Sequence, residues 1–241
     1  PDVVLAYAYL NVDVAFKDPF YVSRDRFDFL DSNGVETFVT AFCAQTKEPA
    51  RNNQRVRDQV EVLYYDAGGQ PDNAQFAVDL SRQTQPYQVI LARMPRCNTL
   101  GEAAGTLQDK IAASRNDPNY TTGRALGHGD TLIVPDVLYK LTHQFDDLIG
   151  KSLGNQKWTA YFFFEALQKI DFTLSRTGVV LKSEARLAAK KAAPRVQRRL
   201  HFDRPFLICV QKRESNATPF FLMWVDNAEL MKSYGNDGKG S

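Results

Sequence analysis

The chain has 241 residues, 44% of them hydrophobic and 24% charged, with a net charge of +2 at neutral pH. That is enough apolar material for the core of one domain or two, and no apolar run reaches the ~18 residues that a membrane-spanning helix needs. Cys43, Cys97 and Cys209 lie far apart with no CxxC spacing, which excludes a disulfide framework and a cysteine-built zinc site.

The first stretch, Val3 to Phe20, starts as a continuous apolar run and then alternates, as a strand does on its way from sheet centre to edge. Phe27 to Leu30 and Val35 to Phe42 flank Asp31-Ser-Asn-Gly34, and Asn-Gly between apolar runs is the strongest short-range hairpin signal. Lys47 to Asp58 is polar and expected to be exposed. Val60 to Tyr65, Gln75 to Leu80 and Tyr87 to Met94 read as a meander of three strands. Leu100, Ala103, Ala104, Leu107, Ile111 and Ala112 repeat near 3.6 residues, which predicts an amphipathic helix ending before Asn116-Asp-Pro118. Tyr120 to Gly129 reads as a loop, Asp130 to Leu141 as a strand and Phe145 to Leu153 as a short helix stopped by Gly154. Trp158 to Ile170 leads into a short apolar strand, Phe172 to Ser175, that ends at Gly178.

From there to about residue 203 the chain has no core of its own, and loops that long are usually functional or disordered. Ser183 to Ala193 is a run of strong helix formers opened by an N-cap residue and stopped by Pro194. Between Lys182 and Arg204 stand eight basic residues against two acidic ones, a surplus of six, so the rest of the chain is net negative. Phe206 to Val210 and Phe220 to Val225 are too short for helices and too apolar for a surface, and read as buried strands joined by a polar turn.

The isolated candidates for chemistry are weak. His143 with Asp146 and Asp147 has helical metal-pair spacing but too few ligands for zinc, and is expected to be a solvated helix start. Gly127-His128-Gly-Asp130 is expected to be a flexible connection, and His201 beside Asp203 to be structural. Cys209 sits mid-strand as a small buried hydrophobe. Asn216-Ala-Thr218 fits the glycosylation sequon, a pattern that arises readily by chance. No nucleophile elbow, P-loop or dinucleotide fingerprint is present, so hydrolase chemistry is disfavoured and neither a cofactor nor a metal is expected.

The ordered set of elements resembles the serpin family. Its hinge strand and re-entry are matched by Phe172, Thr177 and Gly178 and by Arg204-Pro-Phe-Leu207. The long central strand with its W-x-x-P-F ending is matched by Val3 to Phe20, with Phe16 in the tryptophan position and Ala8 where an asparagine is usual. The V-x-V-x-L-P-K-F strand is matched by Asp130 to Leu141. The resemblance implies an α/β (α+β) fold of large, mainly antiparallel sheets over residues 1–241, a reactive loop at 178–203 and no enzyme activity. It alone suggests an extracellular or periplasmic compartment. The family's helical N-terminal third has no counterpart here. The chain does not open on methionine, so it reads as processed or trimmed, its sheet completed by a missing N-terminal segment or a partner chain.

Two functions follow from the resemblance. A suicide inhibitor of a trypsin-like protease would be cut near Lys191, Ala192 or Arg195 and would insert its loop into the sheet. Insertion calls for small residues after the hinge, whereas Thr177 and Gly178 are followed here by Val179, Val180, Leu181 and Lys182. The favoured expectation is therefore a non-inhibitory binding protein. Its contact surface would be Arg186, Lys190, Lys191, Arg195, Arg198 and Arg199, toward a protein partner, including a protease, or a polyanion.

Overall fold

The computed structural model describes residues 3–11, 14–45, 53–69, 73–117, 124–155, 157, 161–177, 197–214 and 217–233. They form two compact units: residues 1–13 with 137–174, and residues 14–136 with 175–241. The fold is α+β, with strands dominant and mostly antiparallel.

The larger unit is built on a five-stranded antiparallel sheet of β6 (Glu61–Asp66), β7 (Gln75–Asp79), β8 (Tyr87–Arg93), β13 (Phe206–Lys212) and β14 (Phe221–Val225), in the order β14-β13-β8-β7-β6. Residues Phe206 to Val210 are all buried, as their unbroken apolar run requires, because both sheet faces are covered. On one face lies α2 (Leu100–Arg115), which buries Ala103, Leu107 and Ile111 against Leu63, Ile90, Ala92 and Leu207. The helix starts at Thr99, whose Oγ1 accepts from the Glu102 N–H, while the Glu102 carboxylate accepts from the Asn98 N–H. Four fully buried aromatics, Phe29, Phe76, Phe202 and Phe206, form a chain of edge-on contacts with centroids 5.1 to 6.5 Å apart.

A four-stranded sheet has the order β12-β9-β5-β2, with β2 (Tyr21–Val22), β5 (Ala41–Cys43), β9 (Thr131–Pro135) and β12 (Arg199–His201). Phe16 is buried against Phe20 (5.0 Å) and Phe42 (6.4 Å). The hairpin at Asn33-Gly34 joins β3 (Phe27–Leu30) to β4 (Glu36–Val39). The Asp31 carboxylate accepts from the Asn33 and Val35 N–H groups, and Gly34 takes φ +81°.

The smaller unit is a three-stranded sheet, β1-β11-β10, of β1 (Val3–Asn11), β10 (Val137–Gln144) and β11 (Phe162–Leu174). β1 runs parallel to β11, from Val3 opposite Phe162 to Asn11 opposite Asp171, with Ala8 opposite Gln168. The strand at Val3 and the hinge strand thus share a sheet, and Phe206 to Val225 forms a hairpin in another, as expected.

Several boundaries differ from expectation. Val35 to Phe42 is two strands in different sheets, and so is Asp130 to Leu141. The chain changes sheet at Thr40 and Asp136, where the Thr40 N–H bonds to Lys232 O and the Asp136 N–H to Thr40 O. The hinge strand is the end of the 13-residue β11 rather than a short strand. Phe145 to Leu153 holds only a single 3-10 turn, Asp146–Leu148, closed by Gly150 at φ +76°. His143 is in β10, so the helical spacing to Asp146 and Asp147 does not exist. Part of the supposedly exposed 47–58 segment is a short helix, α1 (Asn53–Asp58), whose Val56 and Arg57 are buried.

Candidate functional site

The reactive-loop resemblance directs attention to where the chain leaves β11 and where it returns. Beyond β11, Ser175 and Thr177 share a hydroxyl–hydroxyl hydrogen bond of 3.2 Å, and the Phe20 N–H donates to Arg176 O at 2.7 Å. Thr177 is therefore held on a tethered turn. Gly178, Val179, Val180, Leu181, Lys182, Arg186, Lys190, Lys191, Ala192 and Arg195 lie outside the described residues.

The return is earlier and deeper than expected. Residues 199–201 already form β12, parallel to β9, and Leu200 and Phe202 are fully buried. The segment 197–203 thus belongs to the body of the protein. Its approach is close: a Cβ at Gly129 would lie 2.5 Å from the Gln197 side chain, which would have to shift to admit it.

Arg198 is not on the surface. It is 4% exposed and pairs with Asp130, itself 3% exposed, through Nε at 3.0 Å and Nη2 at 2.5 Å. The Asp130 carboxylate also accepts from the Arg198 N–H (2.8 Å) and the Gly127 N–H (2.6 Å), and Arg198 donates to Ala125 O. Burial by itself would raise the Asp130 pKa. The hydrogen bonds and charge of Arg198, with the Gly127 N–H, outweigh it and hold the carboxyl below its usual range. The reason is the cost of burying a charge: Arg198 enters the interior only because the Asp130 carboxylate accepts three of its N–H groups there.

A second guanidinium lies alongside. Arg57 is 4% exposed and donates to Asp130 O at 3.0 Å, while its Nε has no partner among the described residues. Burial lowers its pKa and Asp130 opposes that shift. The next turn of the return is also paired. Arg199 and Arg93 both bond the Asp203 carboxylate at 3.0 Å. Arg199 Nε donates to His201 Nδ1 at 3.0 Å, which leaves His201 Nε2 to carry the hydrogen and donate to Thr131 Oγ1 at 2.9 Å. Of the expected basic surface, then, Arg198 is an interior anchor and Arg199 is part of a bonded network.

Burial, then the charges of Arg199 and Arg93, push the His201 pKa down to about 4. A neutral folded-state histidine binds its proton less readily than the unfolded chain, whose histidine titrates near ~6.5. Its stabilising contribution is therefore present above ~6.5 and is lost as pH falls through the folded value. Thermal midpoints measured between pH 7 and 4.5 are expected to drop, and His201→Gln is expected to flatten that drop. A variant as acid-sensitive as the parent would contradict this assignment.

The chemistry of this region is anchoring. Among the described residues no group of three metal ligands assembles, and the buried thiol of Cys209 is pushed up to about 12 by desolvation. Asp130 was visible in the sequence only as a loop aspartate between glycines and an apolar strand, and Arg57 carried no signal.

No protein-family model matches the sequence, and no curated protein matches it. Solved structures do match. Tengpin, a thermophilic serpin in its native state, superposes with a TM-score of 0.50 at 11% identity, over 92% of this chain and 54% of the other. Human glycosylated kallistatin superposes with a TM-score of 0.52 at 18% identity, over 92% of this chain and 55% of the other. The chain spans about half the length of these proteins.

Proposed function

We propose that this chain, whose fold is serpin-like over 92% of its residues, is a non-inhibitory interaction protein that presents a basic loop to an acidic protein surface. It performs no catalysis of its own. The observation that carries the reading is the chemistry just past Thr177, set against the sheet that insertion would have to enter.

A segment that follows β11 and folds back beside it must run antiparallel to it. One side of β11 is held by β10 and the other by β1, in a parallel ladder from Val3 to Asn11. Entry therefore means parting β1 from β11 and placing alternate side chains of the new strand in a packed interior. Val180, Leu181, Lys182 and Glu184 are the residues that would enter first. Overpacking costs ~1–3 kcal/mol per site, and an unpaired buried charge costs more.

The binding surface is narrower than the whole basic segment. With Arg198 and Arg199 engaged at the return, the cations that remain for a partner within the loop at 178–203 are Lys182, Arg186, Lys190, Lys191 and Arg195, opposed by Glu184. Binding of this kind should weaken steeply with salt.

Trypsin supplies the test, because Lys191 and Arg195 are its substrates wherever they are exposed. Cleavage is expected to leave no protease complex on a denaturing gel and to leave the melting midpoint within a few degrees of the intact chain. An added strand would raise the midpoint well beyond the ~2–4 °C that 1 kcal/mol gives a chain of this size. A complex that survives denaturant, or a large upward shift, would establish the inhibitor reading instead.

A further inference from the structure

We infer that His201 is a proton-operated latch on the Arg199 side chain. While the imidazole is neutral it holds the guanidinium against the body of the protein beside Asp203. Protonation turns its accepting nitrogen into a donor and releases Arg199 to the surface at the base of the loop. This rests on the hydrogen bonds around His201 and is independent of the proposed role of the loop.

The neutral state is fixed by the directions of the bonds. A guanidinium only donates, so the 3.0 Å contact from Arg199 Nε requires a lone pair on His201 Nδ1. The ring hydrogen is then on Nε2, which lies 2.9 Å from Thr131 Oγ1 on β9. From β8, Arg93 reaches Asp203 Oδ1 at 3.0 Å and His201 O at 3.3 Å. From β3, the Phe27 ring stands edge-on with its centroid 6.4 Å away. Asp203 completes the group and also bonds Arg199 at 3.0 Å. Among the described residues, the charged groups facing the imidazole are thus two cations, Arg199 and Arg93, and one carboxylate, Asp203. A proton on the ring makes three cations about that carboxylate. Burial, followed by the two guanidiniums, accordingly lowers the His201 pKa to about 4.

Burial decides which group gives way. The Arg93 side chain is 8% exposed, and moving it would break both of its bonds at an interior site. The imidazole is carried by a strand that cannot shift easily. Burial alternates along it, with Arg198, Leu200 and Phe202 inside and Arg199, His201 and Asp203 on the outer side. Leu200 and Phe202 are fully buried. Arg199 is 42% exposed and already half in water. An imidazolium has no acceptor to offer its Nε, so Arg199 swings outward. The new Nδ1 hydrogen is then free to bond the Asp203 oxygen that Arg199 vacates. The outer face of β12 changes its charge while the inner face keeps the chain in place. The base of the loop gains one positive charge and exposes a second.

The full chain, isotope-labelled on arginine side chains and backbone amides, tests this by nuclear magnetic resonance between pH 7 and 4, with the His201 ring followed in the same samples. Guanidinium hydrogens exchange with water by base catalysis, so their exchange ordinarily slows as pH falls. Against that trend, exchange at Arg199 Nε is expected to rise about tenfold relative to Arg198 Nε, the order that loss of one ordinary hydrogen bond allows. Arg198 Nε, held by Asp130 at 3.0 Å, is the internal reference. The rise should share its midpoint with the His201 ring. The Phe202 N–H, bonded to Ile133 O at 3.0 Å, should stay protected. His201→Gln supplies an amide oxygen that accepts at any pH and is expected to abolish the rise. If that variant does not fold, the coincidence of the two midpoints in the parent decides. An Arg199 Nε as protected as Arg198 Nε throughout the His201 titration overturns the proposal. Joint loss of protection at Arg199 Nε and the Phe202 N–H overturns it too, because the strand and not the side chain would then be leaving, as does an unchanged acid response in His201→Gln.

Discussion

Asp130→Asn is expected to cost about 3–5 kcal/mol, because it leaves Arg198 charged, 4% exposed and without a carboxylate. The substitution keeps the shape, so the loss reports charge and not packing. Urea unfolding should show a lower midpoint at unchanged slope. Pairing the change with Arg198→Met should recover much of the loss, since replacing both buried charges by apolar volume is often neutral or stabilising. A double variant as unstable as Asp130→Asn would mean that the backbone bonds to Gly127 and Arg198, and not the ion pair, make Asp130 important. The same carboxylate sets an acid limit. Its folded pKa lies below the ~3.9 of an unfolded aspartate, so its contribution is complete above that value and disappears as pH falls through the folded one. That loss comes after the one expected from His201, which begins near ~6.5. Acid unfolding should therefore proceed in two inflections, with Asp130→Asn removing the lower.

Phe202→Ala is expected to be of similar size, about 3–5 kcal/mol. Phe202 is fully buried between Phe76 and Phe206, with both ring centroids 5.1 Å away at steep angles. Its two partners sit on β7 and β13, within the sheet, so the cavity cannot close without moving strands that are hydrogen-bonded to β8. Phe202→Leu should recover a good part of the loss by refilling volume. The position also joins the stability of the core to the return of the loop, since Phe202 follows β12 directly. Protection of the Leu200 and Phe202 amides from hydrogen exchange should fall in Phe202→Ala by more than in a distant core variant of equal cost. Equal loss at both would separate the aromatic cluster from the anchoring of the return.

Beside these stands the serpin-like fold itself, which is legible in the sequence for a local reason. The buried strands Phe206 to Val210 and Phe221 to Val225 announce themselves by unbroken apolar runs, and the hairpin at Asn33-Gly34 by a dipeptide that tolerates positive φ. The helix from Leu100 to Arg115 shows its apolar period within its own span. Each of these is a statement about neighbours in sequence, and their order along the chain carries the resemblance.

Other features depend on partners that are not neighbours. Val35 to Phe42 and Asp130 to Leu141 look like single strands because the apolar pattern runs through Thr40 and Asp136. The change of sheet there is made by bonds to Lys232 O and between the two sites themselves. Arg198 looked like one more cation of a solvated loop, and Arg57 like part of an exposed polar stretch. Whether a guanidinium is buried depends on what meets it, and here the carboxylate and carbonyl of Asp130 are 68 and 73 residues away. Composition and periodicity thus determined the strands, their order and the basic character of the loop. Tertiary structure decided where the loop ends and which of its charges are interior, because an ion's free energy in a fold depends on partners that only the completed fold assembles.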